Sequence, residues 1–229
     1  MELDHKMDII ISLGGSLIVP DDINIPFLKK FHSLIINYIK GNNRVAIITG
    51  GGKTARLYME AAEKIAKISQ HDQDWIGIHT TRLNAQLMRD IFKDHARPEI
   101  VKDPTKKFEW KHPILIGAGW KPGCSTDYDA VLLAKNLGIK NIINLTNVDQ
   151  VYDKDPSKHK DATPIDKMTW PELQAIVGEE WSPGLNAPFD PIATKEATTL
   201  QLKVTILGPD LKNLQNFLEN KEFKGTTIN

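Results

Sequence analysis

Short runs of isoleucine, valine and leucine recur at Asp8–Leu13, Arg44–Thr49, Pro113–Gly117, Asn141–Leu145 and Lys203–Leu207. Turn residues bound each run. Runs of this length and β-branched content predict strands buried on both faces, as in a parallel sheet. Between them the period changes. Phe27, Leu28, Phe31, Leu34, Ile35, Tyr38 and Ile39 recur at helical spacing, as do Ala55, Tyr58, Ala62 and Ile65. Further helices are predicted from Trp75 to Lys93, from Asp127 to Leu137 with Ala130, Val131 and Ala134 inward, from Pro191 to Leu200 and from Leu211 to Leu218. Strand alternating with helix predicts an α/β fold, a three-layer αβα sandwich on a mainly parallel central sheet. Asp153–Pro164 is the most linker-like stretch, but the change of lobe is placed earlier, near Gly123–Asp127. The expected division is an N-terminal lobe, 1–125, and a C-terminal lobe, 126–229, on one continuous sheet.

A length of 229 residues suits such a domain. With 41% apolar and 25% charged residues the composition is that of a soluble globular protein, large enough to bury a core without staples. The 29 basic residues cancel the 29 acidic ones, so the basic footprint of a nucleic-acid binder is missing, and no nucleic-acid partner is expected. Cys124 is the only cysteine, which excludes an intrachain disulfide. Together with an opening, MELDHKMDII, that lacks a secretory signal, it points to the cytoplasm. The apolar run Met7 to Leu13 is too short to span a bilayer, so no membrane partner is expected.

The predicted second strand ends in IITGGGKTAR, Ile47 to Arg56. Gly52, Lys53 and Thr54 match the end of a Walker A loop, but the first glycine of that pattern falls on Ile47, inside the strand. The turn is tighter: Gly50, Gly51 and Gly52 lead directly from strand to helix. Backbone N–H groups unobstructed by a Cβ can approach an anion, and the following helix adds its N-terminal dipole. Arg56, one turn in, can reach back with a bidentate fork, where charge-assisted bonds contribute about 1.5–3 kcal/mol each. Three consecutive glycines carry an entropy cost that packing is not expected to repay, which favours an anion site over a plain turn.

ISLGGSL places Gly14, Gly15 and Ser16 after the first strand in the same way. Two glycine turns at the carboxyl ends of parallel strands face one crevice, where open α/β sheets bind ligands. They predict two phosphates, or the two ends of one transfer. GAGWKPGCSTDYDA, Gly117 to Ala130, offers Ser125, Thr126 and Asp127 as a helix N-cap region, with Asp127 either a cap-region residue or a carboxylate at the crevice. LTNVDQVYDKDP, Leu145 to Pro156, is either a plain polar loop or, with Tyr152 between aspartates, a clamp for base and ribose.

In this order GGS, GGGK…R, STD and TNVDQVYDKDP resemble the amino acid kinase superfamily, and within it the archaeal type of uridylate (UMP) kinase. WIGIHTTRLNA, FDPIATK and KGTTI look like the same family, and the resemblance runs from Ile10 to Ile228. It implies the amino acid kinase-like fold and ATP-dependent phosphorylation of UMP to UDP, with Mg²⁺ accompanying ATP. It also implies a homo-oligomer, hexamers being usual among uridylate kinases. The N-terminal lobe would bind the acceptor and the C-terminal lobe ATP. Carried over by position, Gly50, Gly51, Gly52 and Arg56 take the UMP phosphate, and Ser125 and Thr126 lie by the acceptor nucleoside. Gly14, Gly15 and Ser16 lie under the ATP phosphates, and Thr146, Asp149, Val151, Tyr152 and Asp155 line the adenosine site. Asp127 orients the groups around the transferred phosphoryl.

Three positions depart from the family pattern. Ser12 stands where many members carry a lysine that bridges the phosphates; Lys53 is the expected replacement cation and Lys195, in FDPIATK, the alternative. Gln150 stands where glycine is usual. The aspartate that reads the acceptor ribose in bacterial uridylate kinases falls near Ile78, so Arg82 and Asn84 either contact the acceptor instead or serve as helix-surface or oligomer contacts. The acceptor phosphate is already an anion, so no catalytic His or Cys is needed. Cys124 is read as structural, and the histidines show no ligand spacing. Two other readings stand beside UMP kinase: a superfamily kinase acting on another small phosphate or carboxylate, and a non-catalytic nucleotide-binding protein on the same fold. Arg56 favours an acceptor that already bears a phosphate, and Ser12 keeps the non-catalytic reading open.

Overall fold

The computed structural model describes residues 7–154, 158–180 and 187–229. Five of its strands run parallel: β1 (Asp8–Leu13), β2 (Arg44–Thr49), β3 (Ile114–Gly117), β4 (Asn141–Leu145) and β8 (Lys203–Leu207). Two short strands extend the far edge, β7 (Lys167–Met168) and β9 (Thr226–Ile228), the latter antiparallel to β8. The seven-stranded order is β3-β2-β1-β4-β8-β9-β7. A separate two-stranded ribbon, β5 (Val151–Tyr152) with β6 (Pro164–Ile165), brackets the linker-like stretch.

Successive strand residues point to opposite faces, and here both faces are apolar. Ile9, Ile11 and Leu13 join Val45, Ile47, Ile143 and Leu145 in one core. That core is closed by α1 (Gly15–Ile18), α2 (Ile25–Ile39), α4 (Gln70–Ile91) and α8 (Leu211–Leu218). Ile10, Ala46, Ile48, Leu115, Ile142 and Val204 face the other way, under α5 (Thr126–Leu137), α6 (Trp170–Val177) and α7 (Pro191–Thr199). The result is the three-layer sandwich that the strand and helix periods predict. Register at the start of the sheet is pinned by charge. Arg44 stands opposite Asp8 and donates from Nε to Asp8 Oδ1 at 2.9 Å and from Nη1 to the Trp110 carbonyl at 2.8 Å.

Three elements differ from the sequence expectation. α4 begins at Gln70, ahead of Trp75, because Ser69 and Asp72 form a capping box: Ser69 Oγ accepts the Asp72 N–H at 3.2 Å, and Asp72 accepts the Ser69 N–H at 3.1 Å. α6 was not foreseen, although Thr169 and Glu172 form a second capping box. The stripe Ala55, Tyr58, Ala62, Ile65 on α3 (Gly52–Ile65) does not face the sheet, for Tyr58 is 67% and Ile65 85% exposed. α3 packs chiefly on α4 and α1, one layer out from the strands.

The topology places the site. The chain runs β1, β2, β3 in one direction, then crosses back to lay β4 on the other side of β1. Strand order therefore reverses between β1 and β4, and the carboxyl ends of the strands at such a reversal leave a crevice.

Candidate functional site

Both glycine turns sit at that crevice and interlock. Gly50 donates its N–H to Leu13 O at 2.9 Å, and Gly14 donates to Leu145 O at 2.8 Å, tying the turns after β1, β2 and β4 together. A Cβ on Gly15 would overlap Gly52 N and lie 2.6 Å from Gly51 N and Gly50 C. Gly52 has φ +68°, and a Cβ there would run into Gly15 O. A Cβ on Gly51 would meet Ala55 Cβ at 2.7 Å. The expectation that packing returns nothing for three consecutive glycines is therefore overturned: two backbones cross here with no room for side chains. The crossing leaves Gly51 as N-cap of α3 with no side-chain cap, so that helix N-terminus is open to an anion.

Arg56 is exposed on α3, and among the described residues it has no hydrogen-bond or ion-pair partner. Lys53 is one turn earlier; its N–H donates to Val19 O at 2.9 Å, and its ammonium lies 3.7 Å from Asp21, which is 87% exposed. Lys195, on α7, is held by Glu179 at 3.2 Å. Exposed ion pairs of this kind are worth about 0–1 kcal/mol, so either ammonium can leave its partner for a phosphate at little cost.

Asn84 is buried and spends its amide on the glycine turn, donating to Gly50 O at 2.8 Å and Gly51 O at 3.2 Å. Arg82 is likewise engaged, donating from Nε to Gly119 O at 3.3 Å and from Nη2 to Trp120 O at 3.0 Å. Both side chains are therefore spent on backbone carbonyls of neighbouring turns. Ser125 caps α5, its Oγ accepting the Tyr128 N–H at 3.1 Å, with Thr126 beside it as the first helical residue.

Ser12, on β1, donates from Oγ to Asp127 Oδ1 at 2.9 Å. The position where a bridging lysine was sought thus holds a hydroxyl, and no cation pairs with Asp127 among the described residues. Burial pushes Asp127 up to about 7, against the lowering hydrogen bond from Ser12. Two carboxylates that the sequence reading missed stand with it. Asp129 is pushed up to about 8, first by burial, although it accepts the Trp120 N–H at 3.1 Å. Asp190 caps α7 through the Ala193 N–H at 2.6 Å and is also raised by burial. Among the described residues Asp129 Oδ1 and Asp190 Oδ2 are buried without a hydrogen-bond partner. No local pattern marks Asp129 in the sequence, whereas Asp190 before proline, opening a helix, is a readable cap.

On the other side of β1, Ser16 is half-buried in α1, and Thr146 follows β4, its N–H donating to Leu207 O at 2.9 Å. A Cβ on Gly14 would come within 3.5 Å of Thr146 Cα, so these two segments adjoin. Asp149 pairs with Lys224 at 2.7 Å. Val151 is buried and donates its N–H to Thr226 Oγ1 at 2.8 Å, which makes it part of the core. Tyr152 is half-buried at the end of β5, and Asp155 lies outside the described residues. Gln150, where glycine was expected, is buried and donates to Asp166 at 2.8 Å and Gly225 O at 3.2 Å, bracing this loop against the β9 edge. Among the described residues no three His, Cys, Asp or Glu side chains stand at metal-binding spacing.

Comparison with known proteins adds to this geometry. The sequence model described as the amino acid kinase family matches residues 7–208. The chain is 36% identical to the uridylate kinase of Thermococcus kodakarensis over 228 residues, covering 97% of this chain and 99% of that protein. It is 35% identical to the uridylate kinase of Pyrococcus abyssi over 227 residues, covering 97% and 99%. Its structure is similar to the crystal structure of uridylate kinase from Archaeoglobus fulgidus, with TM-score 0.82 and 29% identity over 96% of this chain and 99% of that one.

Proposed function

The chain belongs to the amino acid kinase family, and from that premise we propose that it transfers the γ-phosphoryl group of ATP to UMP, releasing ADP and UDP. Similarity along nearly the full length to uridylate kinases supports the substrate, and the open Arg56 beside the interlocked glycine turns carries it structurally. In the transfer an oxygen of the UMP phosphate bonds to the γ-phosphorus as the bond from that phosphorus to the β,γ-bridging oxygen breaks. The attacking oxygen is already an anion, so the protein must mainly position two phosphates in line and neutralise their charge.

On this reading Arg56 and the N-terminus of α3 hold the acceptor phosphate, with Gly50, Gly51 and Gly52 giving close backbone approach and Ser125 and Thr126 beside the nucleoside. Gly14, Gly15 and Ser16 underlie the ATP phosphates, and Thr146, Asp149 and Tyr152 border the nucleoside of ATP. Lys53 and Lys195 swing from weak surface pairs onto the phosphates. The proposed lobes are then 1–125 for the acceptor and 126–229 for ATP. Mg²⁺ arrives with the ATP phosphates and needs one or two carboxylates at most. Asp127, an oxygen donor whose partner is a neutral hydroxyl, fits that need and would hold the cation on the protein side. When bound, the cation neutralises phosphate charge.

Cytoplasmic residence and a homo-oligomer, a hexamer by resemblance, belong to the same proposal. The apolar face of α2 is spent on the core through Phe27, Phe31 and Ile35. The exposed apolar residues Leu57, Tyr58 and Ile65 on α3 and Leu83 on α4 are the surface a second copy would cover. Among the described residues no helix is long and apolar enough to cross a membrane. The deciding experiment measures ADP release with UMP, CMP, AMP and small carboxylic acids as acceptors. UMP should stimulate it most, and no stimulation by UMP would reject the substrate.

A further inference from the structure

We propose that Asp129 is a positioning residue for the acceptor, fixing the Gly119–Trp120 turn from which the chain leads to Ser125 and Thr126. The proposal rests on the acceptor assignment above and names a group beyond it. Every backbone polar group of Gly119 and Trp120 is bound by a side chain. The Gly119 N–H donates to Thr81 Oγ1 at 2.8 Å and the Trp120 N–H to Asp129 Oδ2 at 3.1 Å. Arg82 takes the two carbonyls, at 3.3 Å and 3.0 Å. A Cβ on Gly119 would lie 2.8 Å from Thr81 Oγ1, so the turn admits no larger residue there. Further along, the Gly123 N–H is held by Asp74 Oδ2 at 2.8 Å.

The clamp joins three elements. Thr81 and Arg82 come from α4, the turn follows β3, and Asp129 comes from the first turn of α5. Ser125 and Thr126 stand one turn before Asp129 on the same helix. Asp129 thus ties the helix that carries them to the turn that precedes them. Its burial is costly. Ala130, Val131, Leu133 and Ala134, which follow it on the helix, are fully buried core, and among the described residues its own Oδ1 is buried without a hydrogen-bond partner. Most buried polar atoms in folded proteins are hydrogen-bonded, and a carboxyl kept where apolar side chains pack is retained for what its other oxygen does.

The test compares wild type, Asp129→Ala and Asp129→Asn. Hydrogen exchange of segment 118–125 in the ligand-free chain reads the clamp, and steady-state kinetics reads its consequence. D129A should speed exchange of that segment about tenfold and raise the acceptor KM about tenfold, one lost hydrogen bond to a carboxyl group, while strand β1 stays protected and the ATP KM moves less than about twofold. D129N keeps a carbonyl for the Trp120 N–H and should restore both. If D129A does not fold, Thr81→Val, which removes the acceptor of the Gly119 N–H, should give the same exchange and KM pattern. Unchanged exchange in 118–125 overturns the clamp. Faster exchange with unchanged acceptor KM, or an equal rise in both KM values, overturns the positioning role. A wild type that phosphorylates another nucleoside monophosphate and not UMP overturns the substrate assignment alone, since both readouts then apply to that acceptor.

Discussion

Arg56 is a cation without a partner among the described residues, on the helix that opens from the glycine turn. Arg56→Ala should raise the UMP KM about ten- to hundredfold, the loss of one or two charge-assisted bonds, and leave the ATP KM nearly unchanged. Equal effects on both substrates in steady-state kinetics would contradict an acceptor role. Cys124 makes the opposite kind of prediction. Burial first, then Asp129, pushes its thiol up to about 11, so little thiolate exists at neutral pH. Alkylation by iodoacetamide should be slow, and Cys124→Ala should keep its activity; rapid labelling with loss of turnover would make the cysteine functional. Arg56 stands out in the sequence because it is a charged residue one turn after a glycine loop. Asp129 does not, because its partner Trp120 is placed by a turn whose path no local pattern announces.

At the scale of elements, the glycine turns act as one unit. Gly52→Ala combines a left-handed φ of +68° with a collision against Gly15 O. It should destabilise the fold by about 1–3 kcal/mol or more in urea unfolding, with loss of UMP binding. Asn84→Ala leaves the Gly50 and Gly51 carbonyls without their buried donor and should cost about 1–3 kcal/mol. An unchanged urea midpoint in either variant would show that the turns are not interlocked as described. Helix and strand periods located the parallel strands and the helices laid on them. They placed α3 as a helix, although its apolar stripe sits a layer out from the strands, and they missed β9, whose few residues become a strand by pairing with β8.

At the scale of the molecule, two buried carboxyls, Asp129 and Asp190, and the half-buried Asp127 shape the response to pH. Burial raises Asp127 to about 7 and Asp129 to about 8, and raises Asp190 as well. Each keeps its proton when folded after the unfolded chain has lost it near pH 4. Their contribution is full below that value and is lost as pH rises through the folded pKa values, so the Tm of the ligand-free chain should fall between about pH 5 and 8 and level off above. Exposed carboxylates with lowered values, such as Asp72 and Glu172, act oppositely, but only as pH falls below about 4, and solvent screens them. Calorimetry across this range should also show a shallower slope for Asp129→Asn. A Tm that is flat or rises between about pH 5 and 8 in the wild type would refute the assignment.

The sequence by itself determined the layer architecture, because strands buried on both faces and helices of period 3.6 carry their apolar pattern locally. It also determined the family, through glycine turns and polar clusters kept in a fixed order. Only the tertiary structure decided what each site residue touches. Crossing backbones made the glycines a packing necessity. A hydroxyl from β1 met the carboxylate of α5, and the carboxyl of Asp129 closed on a turn that Thr81 and Arg82 hold from α4. Such contacts join residues far apart in the chain, and their geometry is fixed by the sheet between them.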